Sequence, residues 1–167
     1  MRLFVALDPT DEIKARIGKL VESIKKSGDG IKWVDEQDLH LTLKFLGEVR
    51  EDDLQKIIKE VEEAAAGRES FKISFKGLGN FPHVIWIGLK EGEKELKEVA
   101  EKLGTEDFSA HLTIGRVKKG GIRSEEYKDF EFGEMRAEKI RLIKSTLTPK
   151  GPIYEIIKEV NLCRTKS

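Results

Sequence analysis

Two segments of this chain have almost the same sequence, HLTLKFLG from His40 and HLTIGRV from His111, and their first residues lie 71 positions apart. Both are apolar runs of the kind that forms β-strands. Each follows a strand-like and then a helix-like segment in its own half of the chain. The repeat therefore constrains the fold, and we expect two similar lobes that each contain one His-Leu-Thr strand.

Hydrophobic spacing predicts the remaining elements. Continuous or alternating apolar runs predict strands at 2–7, 31–34, 40–47, 71–76, 84–89, 110–117, 138–147 and 152–160. Apolar residues at helical spacing predict helices around 13–24, 51–66 and 96–103. Residues 77–82 and 118–130 are interpreted as a loop and a polar connector with one helical turn. The last two strands are predicted to form a hairpin, because Pro and Gly lie between them.

Composition excludes several classes of protein. The formal net charge is zero, which argues against a surface that coats nucleic acid, although residues 111–150 hold ten basic against six acidic side chains. The single Cys163 can form no internal disulfide and no cysteine zinc site. No apolar run is long enough to span a membrane and the start does not resemble a signal peptide, so we expect a cytoplasmic protein. Many Lys and Glu with few Asn, Gln and Cys indicate a heat-adapted source.

Strand geometry gives the repeat a chemical meaning. Successive side chains of a strand point to opposite faces, so His40 and Thr42 share one face, as do His111 and Thr113. Each pair offers an imidazole and a hydroxyl about 7 Å apart. One neutral and one charged imidazole can act as base and acid on the same group, and the hydroxyls can bind phosphate oxygens. This chemistry requires no metal and no cofactor.

A structural role is the alternative for each of these residues. A lone His before an apolar strand is usually structural, and Thr favours strands in any case. Two copies that use two of only three histidines are much harder to explain in that way. The third, His83, has no Thr two positions later and no equivalent elsewhere.

The strings around the repeat resemble the 2H phosphoesterase superfamily. The closer resemblance is to its RNA 2',3'-cyclic phosphodiesterase branch, historically called 2'-5' RNA ligase. It covers nearly all of 1–167 and is carried by RLFVAL, LHLTLKFLGEV, GLGNFP, VIWIGL, AHLTIGRVK and STLTPKGPIY. The resemblance implies one domain of two similar lobes with an α+β fold, in which two pseudo-symmetric antiparallel sheets line a central cleft and the helices pack outside. Ala110 departs from the Pro that many relatives have before the second His.

The resemblance also implies an activity and site residues. It implies hydrolysis of RNA 2',3'-cyclic phosphate ends, including those of tRNA fragments, to a 2'-phosphate, and joining of such ends to a 5'-hydroxyl through a 2'-5' bond. His40 is implied as the proton donor to the 3'-oxygen and His111 as the proton acceptor, with Thr42 and Thr113 on the phosphate. The residues alone leave open which His is the acid.

Three further residues are candidates for substrate binding. Lys44 is in phase with Thr42 and could reach a phosphate, although a solvated position at the cleft rim is the alternative. Arg116 lies on the face opposite His111 by alternation, and approaches substrate only if the strand bends near Gly115. Tyr154 could stack on a base, as could Phe45, with a core position as the alternative for both.

Other functions remain open at this point. The same fold could act on a 2'-5' oligoadenylate, an ADP-ribose cyclic phosphate or a modified RNA end. The basic stretch could belong to a non-catalytic RNA-binding module. A two-histidine metal site is a third alternative, but Thr instead of a carboxylate beside each His is a poor ligand set. We expect RNA as partner, no metal, no cofactor, no membrane, and a monomer.

Overall fold

The computed structural model describes residues 1–26, 28–80 and 83–163. Its strands are β1 (Arg2–Leu7), β2 (Ile31–Trp33), β3 (Leu41–Glu48), β4 (Phe71–Asn80), β5 (Val84–Glu91), β6 (Leu112–Val117), β7 (Glu131–Ala137), β8 (Lys139–Thr148) and β9 (Gly151–Asn161). Its α-helices are α1 (Asp11–Ile24), α2 (Leu54–Ala65) and α3 (Glu93–Lys102). Short 3-10 turns cover Glu36–Asp38, Glu51–Asp53 and Ser124–Tyr127.

The strands form two antiparallel sheets, which confirms the α+β prediction. The four-stranded sheet has the order β3-β1-β8-β9, and the five-stranded sheet has the order β2-β6-β5-β4-β7. Each sheet contains one His-Leu-Thr strand, β3 at the edge of the first and β6 beside the short edge strand of the second. The predicted hairpin of β8 and β9 is also confirmed, with Thr148 opposite Gly151 at its turn.

The helices cover one side of the sheets. In α1 the side chains of Ile13, Ile17 and Leu20 recur at helical spacing and are all buried. Thr10 caps this helix, because its hydroxyl oxygen accepts a hydrogen bond of 3.3 Å from the backbone N–H of Ile13. Buried side chains of both sheets and of all three helices belong to one continuous hydrophobic core. The sheets are therefore held together by a shared core.

Strand β1 is buried on both of its faces. Leu3, Val5 and Leu7 belong to the shared core, whereas Phe4 and Ala6 pack with Ile143 on the other side of the four-stranded sheet. We call that other side, which carries Phe4 and Ala6, the motif face of the four-stranded sheet. The side that packs on the helices is its core face. This division matters because the candidate site lies on the motif face.

One strand was left unassigned by the sequence, and one loop prediction is wrong. Strand β7 was not predicted, because its sequence EFGEMRA is mostly polar and only Phe132 and Ala137 are buried. It forms the edge of its sheet by pairing with β4, an interaction that its own spacing does not reveal. Strand β4 also continues to Asn80, through residues 77–80 that we expected in a loop. The rest of that expected loop, Phe81 and Pro82, lies outside the described residues. Within the described ranges, no helix has the length and apolar character needed to cross a membrane.

Candidate active site

The first motif begins close to the strand of the second. Strand β2 pairs with β6, and the backbone N–H of Val34 then donates a 2.9 Å hydrogen bond to the carbonyl oxygen of Ile114. From there the chain crosses to the other sheet through the 3-10 turn Glu36–Asp38 and reaches His40 only six residues after Val34. Strands β3 and β6 also contact each other. The crossing segment therefore brings His40 into the neighbourhood of the second motif.

His40 is held by its backbone and by two aromatic rings. Its Nδ1 atom lies 2.7 Å from the carbonyl oxygen of Asp38. Because a carbonyl oxygen only accepts, Nδ1 carries the hydrogen and Nε2 is left to exchange a proton with a substrate. The ring centroids of Phe4 and Tyr154 lie 4.8 and 5.3 Å from that of His40, and Tyr154 meets the imidazole edge-on. The orientation of His40 is thus fixed from three sides.

Burial lowers the pKa of His40 below its ordinary value. The hydrogen bond to Asp38 and the carboxylate charge of Asp8 act in the opposite direction, but burial is the largest cause. The pKa falls because removal from water disfavours the charged imidazolium. In the free protein His40 is therefore biased towards its neutral form.

His111 has a different environment. Its side chain is exposed, and the ring centroid of Trp86 lies 6.1 Å from its own. Trp86 lies directly over Gly79 on the neighbouring strand, where any Cβ atom would overlap the indole ring. Glycine at position 79 therefore makes room for the tryptophan that contacts His111. We call the side of the five-stranded sheet that carries Trp86 and Thr113 its motif face.

A β-bulge in β3 changes which side chains follow Thr42. Thr42 lies opposite Ala6 on the motif face, as the alternation predicts. The register then shifts, so that Lys44 lies opposite Val5 on the core face and Phe45 lies opposite Phe4 on the motif face. Such an extra residue is the defining feature of a bulge. His40, Thr42 and Phe45 therefore share one face.

The alternation argument for Lys44 is therefore wrong. The ammonium group of Lys44 donates a hydrogen bond to the carbonyl oxygen of Leu103, just after α3. Beside it, the hydroxyl of Thr105 donates a 2.8 Å hydrogen bond to the carbonyl oxygen of Leu43. Lys44 thus joins β3 to the end of α3 on the core side. This contact directs the ammonium group of Lys44 away from the motif face.

Strand β6 contains a bulge at the equivalent place. Thr113 lies opposite Trp86, and Arg116 lies opposite Val84 after a register shift. Trp86 and Val84 are two residues apart in β5 and share a face. Arg116 therefore lies on the same motif face as Thr113, and the simple alternation that put it on the opposite face is wrong. The irregularity near Gly115 that Arg116 requires in order to approach the substrate is therefore present.

Tyr154 connects the two motif faces. It belongs to β9 and packs against Phe4, at a ring-centroid distance of 5.3 Å, as well as against His40. Burial raises the pKa of Tyr154, the charge of Asp38 raises it further, and the charge of Arg116 lowers it. Arg116 belongs to the other sheet and is near enough for its charge to act on the Tyr154 hydroxyl. The guanidinium therefore lies in the neighbourhood of Tyr154, which packs against His40.

Sequence reasoning did not identify every neighbour of the histidines. Phe4 and Trp86 lie beside His40 and His111 but were interpreted only as strand residues. Phe45 was noted as a possible stacking residue, and it is 74% exposed. The signal that could have singled out Trp86 is Gly79, a small residue in a strand at which a large ring can lie. In the part of the chain that the structure describes, no group of three or more His, Cys, Asp or Glu is placed to hold a metal ion.

Comparisons with known proteins identify relatives that match almost the whole chain. A family model described as LigT like Phosphoesterase matches residues 7–86. A protein of Methanocaldococcus jannaschii named RNA 2',3'-cyclic phosphodiesterase is 46% identical over 178 residues, covering 95% of this chain and 99% of that protein. A protein of Archaeoglobus fulgidus with the same name is 43% identical over 175 residues, covering 93% of this chain and 97% of that protein.

A solved structure gives the same result for the fold. The crystal structure of a Thermus thermophilus protein superposes with a TM-score of 0.85 at 27% identity. The superposition covers 97% of this chain and 98% of that chain. The similarity therefore extends over both sheets and both histidine strands.

Proposed function

Because the chain belongs to the LigT-like phosphoesterase family, we propose that it hydrolyses the 2',3'-cyclic phosphate at the 3' end of an RNA to a 2'-phosphate. Membership of the family rests on relatives at 46% and 43% identity over almost the whole chain. The chain is therefore a phosphoesterase and a hydrolase. The names that both relatives carry support the cyclic phosphate as substrate. The observation that carries the proposal is the His/Thr pair on the motif face of each sheet.

We assign the two histidines the roles of acid and base. A water molecule attacks the phosphorus atom, and His111 takes a proton from that water. The bond between phosphorus and the 3'-oxygen breaks, and Nε2 of His40 gives its proton to that oxygen. The products are a 2'-phosphate and a free 3'-hydroxyl. Each proton transfer contributes roughly 10²–10⁴ to the rate. The bond from Nδ1 of His40 to Asp38 supports this role, since it directs Nε2 away from the backbone.

Thr42, Thr113 and Arg116 complete the proposed site. The two hydroxyls would donate hydrogen bonds to the non-bridging phosphate oxygens. The guanidinium would add positive charge, and hydrogen bonds between charged partners are roughly twice as strong as neutral ones. The placement of Arg116 on the face of Thr113 supports this part of the proposal. Tyr154 would contribute by packing on His40 rather than by touching the phosphate.

The lowered pKa of His40 has to be reconciled with a donor role. A donor must be protonated, whereas burial favours neutral His40 in the free protein. A cyclic phosphate carries one negative charge, and an opposite charge close to an imidazole favours the protonated form. We therefore expect His40 to gain its proton as the substrate binds. The reverse assignment, with His40 as base, is separated from this one by the leaving-group experiment at the end of the Discussion.

We propose 2'-5' ligation as a second reaction of the same site. A 5'-hydroxyl end of RNA would attack in place of water, and His111 would take the proton of that hydroxyl. His40 would protonate the 3'-oxygen as before, so the product would contain a 2'-5' phosphodiester. The balance between the two reactions would depend on whether an RNA strand or water lies beside His111.

The decisive assay uses an oligonucleotide with a 2',3'-cyclic phosphate end in the presence of EDTA. We expect turnover by the unmodified protein and a loss of about 10²–10⁴ in rate for His40→Ala and for His111→Ala. His83→Ala is the matched control, because the side chain of His83 is exposed and its backbone carbonyl oxygen accepts a hydrogen bond from the N–H of Val117. Equal turnover by all four proteins would overturn the proposal.

A substrate panel separates the remaining alternatives. Faster turnover of a 2'-5' oligoadenylate or an ADP-ribose cyclic phosphate would move the assignment to another substrate of the same chemistry. Salt-sensitive RNA binding without turnover would indicate a non-catalytic module. We propose in addition that 1–167 works as one domain of two similar lobes, a proposal that the shared core supports. We also propose that the protein acts as a monomer in the cytoplasm.

A further inference from the structure

We propose that Asp8 is a positioning residue for the reaction. Its carboxylate lies across from His40, is held by Arg141 and Lys14, and stabilises the charged imidazolium that gives its proton to the 3'-oxygen. This inference rests on the proposed hydrolysis and on the donor role of His40, and it deepens that role by assigning a partner to the imidazole. Asp8 acts through His40 and not on the reacting atoms.

The register of β1 and β3 brings Asp8 to this position. Leu7, the last residue of β1, pairs with Leu41, the first residue of β3. Asp8 follows Leu7 and His40 precedes Leu41, so these two are the next residues across from each other in the antiparallel pair. Leu7 and Leu41 belong to the shared core, so by alternation the next pair is on the motif face. The charge of Asp8 also acts on the imidazole, as expected for neighbouring groups.

In the second motif the corresponding position carries no side chain. The register of β5 and β6 places Gly88 across from His111. Asp8 occupies the equivalent position beside His40. A carboxylate therefore faces the proposed acid from the neighbouring strand, whereas a glycine faces the proposed base. An acid has to be charged before it reacts and a base has to be neutral, so a carboxylate beside His40 alone agrees with the assigned roles.

Two cations hold the carboxylate of Asp8. A guanidinium nitrogen of Arg141 donates a 2.5 Å hydrogen bond to Oδ2 of Asp8, and the ammonium group of Lys14 lies 3.8 Å from the same oxygen. The side chains of Asp8, Lys14 and Arg141 are only 28%, 12% and 21% exposed, so salt screens their charges less than those of surface groups. Lys14 also donates a 3.2 Å hydrogen bond to the carbonyl oxygen of Gln37, in the turn that leads to His40. The network thus joins Asp8 to the segment that carries the imidazole.

The other titratable groups around His40 do not provide the same partner. Burial lowers the pKa of His40, the charge of Lys14 lowers it further, and the charge of Asp8 opposes both. Asp38 binds Nδ1 through its backbone, and burial raises the pKa of its carboxyl, which favours the neutral form. Tyr154 is a phenol whose pKa burial raises, so it is neutral near pH 7. Asp8 is therefore the carboxylate to which we assign this role.

The first test needs no substrate. NMR titrations of His40 should give a lower pKa in Asp8→Asn than in the unmodified protein, because the amide carries no charge. Lys14→Met should raise the same pKa, because it removes a nearby positive charge. Asp8→Glu should return the pKa towards that of the unmodified protein. A general disturbance of the fold would not shift the pKa in opposite directions in Asp8→Asn and Lys14→Met.

The second test measures kcat/KM on two cyclic phosphates, one with oxygen and one with sulfur at the 3' position. A thiolate with a pKa of about 8.5 leaves without a proton donor, so only the oxygen substrate depends on charged His40. At pH 7.5, Asp8→Asn should lower kcat/KM on the oxygen substrate by about 3- to 10-fold relative to the sulfur substrate. A pKa that is one unit lower means about tenfold fewer charged imidazoles, and the greater acidity offsets part of that loss. Effects on phosphate binding cancel in this ratio.

Glu98→Gln provides the matched control, because Glu98 of α3 forms a comparable 2.5 Å ion pair with Arg68, away from the two motif strands. It should change neither the pKa of His40 nor the ratio of the two substrates.

An unchanged or raised pKa of His40 in Asp8→Asn, or an equal loss on both substrates, would overturn the inference. If Asp8→Asn does not fold, a raised pKa in Lys14→Met supports the inference and a lowered one overturns it. Failure of the unmodified protein to hydrolyse either cyclic phosphate would instead overturn the proposed function, and the NMR titrations would still decide whether Asp8 is the partner of His40.

Discussion

The Nδ1 atom of His40 lies 2.7 Å from the carbonyl oxygen of Asp38, so the backbone of the preceding 3-10 turn sets the tautomer of the imidazole. Phe4 and Tyr154 pack against the same ring. His111 lacks such a packed environment, since it is exposed beside Trp86. The two histidines thus have the same sequence context but different surroundings, which is what separate acid and base roles require.

The first prediction concerns the pKa of His40. Because burial is the largest cause of its lowered pKa, Tyr154→Ala should raise that pKa by admitting water. Tyr154→Phe keeps the ring and should leave the pKa unchanged. NMR titrations of the histidines, without substrate, measure the pKa of His40 in the unmodified protein and in both variants. A pKa of His40 at or above about 6.5 in the unmodified protein would contradict this account.

The same shift predicts a dependence of stability on pH. A histidine with a lowered pKa binds fewer protons in the folded state than in the unfolded state. The free energy of unfolding should therefore fall as the pH drops below about 6.5, by about 1.4 kcal/mol for each unit of difference between the two pKa values. Denaturant unfolding at pH 7.5 and pH 5 should show a smaller change in His40→Gln than in the unmodified protein, and an equal change in the two proteins would contradict this prediction.

A third prediction concerns Lys44. Because its ammonium group binds the carbonyl oxygen of Leu103, Lys44→Met should lower the free energy of unfolding by about 1.5–3 kcal/mol, as expected for a hydrogen bond to a charged group. Thr105→Val should cost about 1 kcal/mol. Denaturant unfolding measures both. A stable Lys44→Met protein with a raised KM would instead restore a phosphate-binding role.

The fourth prediction concerns Gly79 and Trp86. A methyl group at position 79 would overlap the indole, so Gly79→Ala should cost about 1–3 kcal/mol of stability and displace the ring from His111. In a Trp86→Ala background the same substitution should cost little, because nothing lies over it. A double-mutant cycle in denaturant measures the difference. Equal costs in the two backgrounds would show that the overlap has no energetic effect.

The alternation of strand side chains predicts the motif faces correctly as far as Thr42 and Thr113. It fails at the next positions, because each strand contains a bulge that is defined by its pairing with β1 or β5. Local spacing contains no information about a partner strand, so Lys44 and Arg116 were both assigned to the wrong face. For Arg116 the expected irregularity near Gly115 restores the candidate to the motif face, whereas for Lys44 the bulge removes it from that face.

The hydrophobic pattern predicts strands that contain apolar runs, and it does not reveal the mostly polar edge strand β7. β1 and β5 were predicted with nearly correct bounds because their apolar residues are buried in the sheets. β7 was missed because an edge strand keeps polar side chains in water. The position of Tyr154 beside His40 could not be predicted either. It follows from the order β3-β1-β8-β9, which brings a strand from the end of the chain close to the first motif.

A fifth prediction tests the phosphate contacts. Thr42→Val and Thr113→Val keep the shape of each side chain and remove the hydroxyl. Each should lower kcat/KM by about 10- to 100-fold, the loss expected for one or two hydrogen bonds to a charged group. Thr10→Val is a suitable control, since Thr10 caps α1 and should affect stability rather than catalysis.

The central claim is that His40 donates a proton to the 3'-oxygen and His111 activates the nucleophile. The most direct test replaces the 3'-oxygen of the cyclic phosphate with sulfur. A thiolate with a pKa of about 8.5 leaves without a proton donor. We predict that His40→Ala cleaves the phosphorus–sulfur bond within about tenfold of the unmodified rate, whereas His111→Ala stays slower by about 10²–10⁴. The assignment would be contradicted if His111→Ala cleaved the sulfur substrate at nearly the unmodified rate, or if both variants remained slow on it.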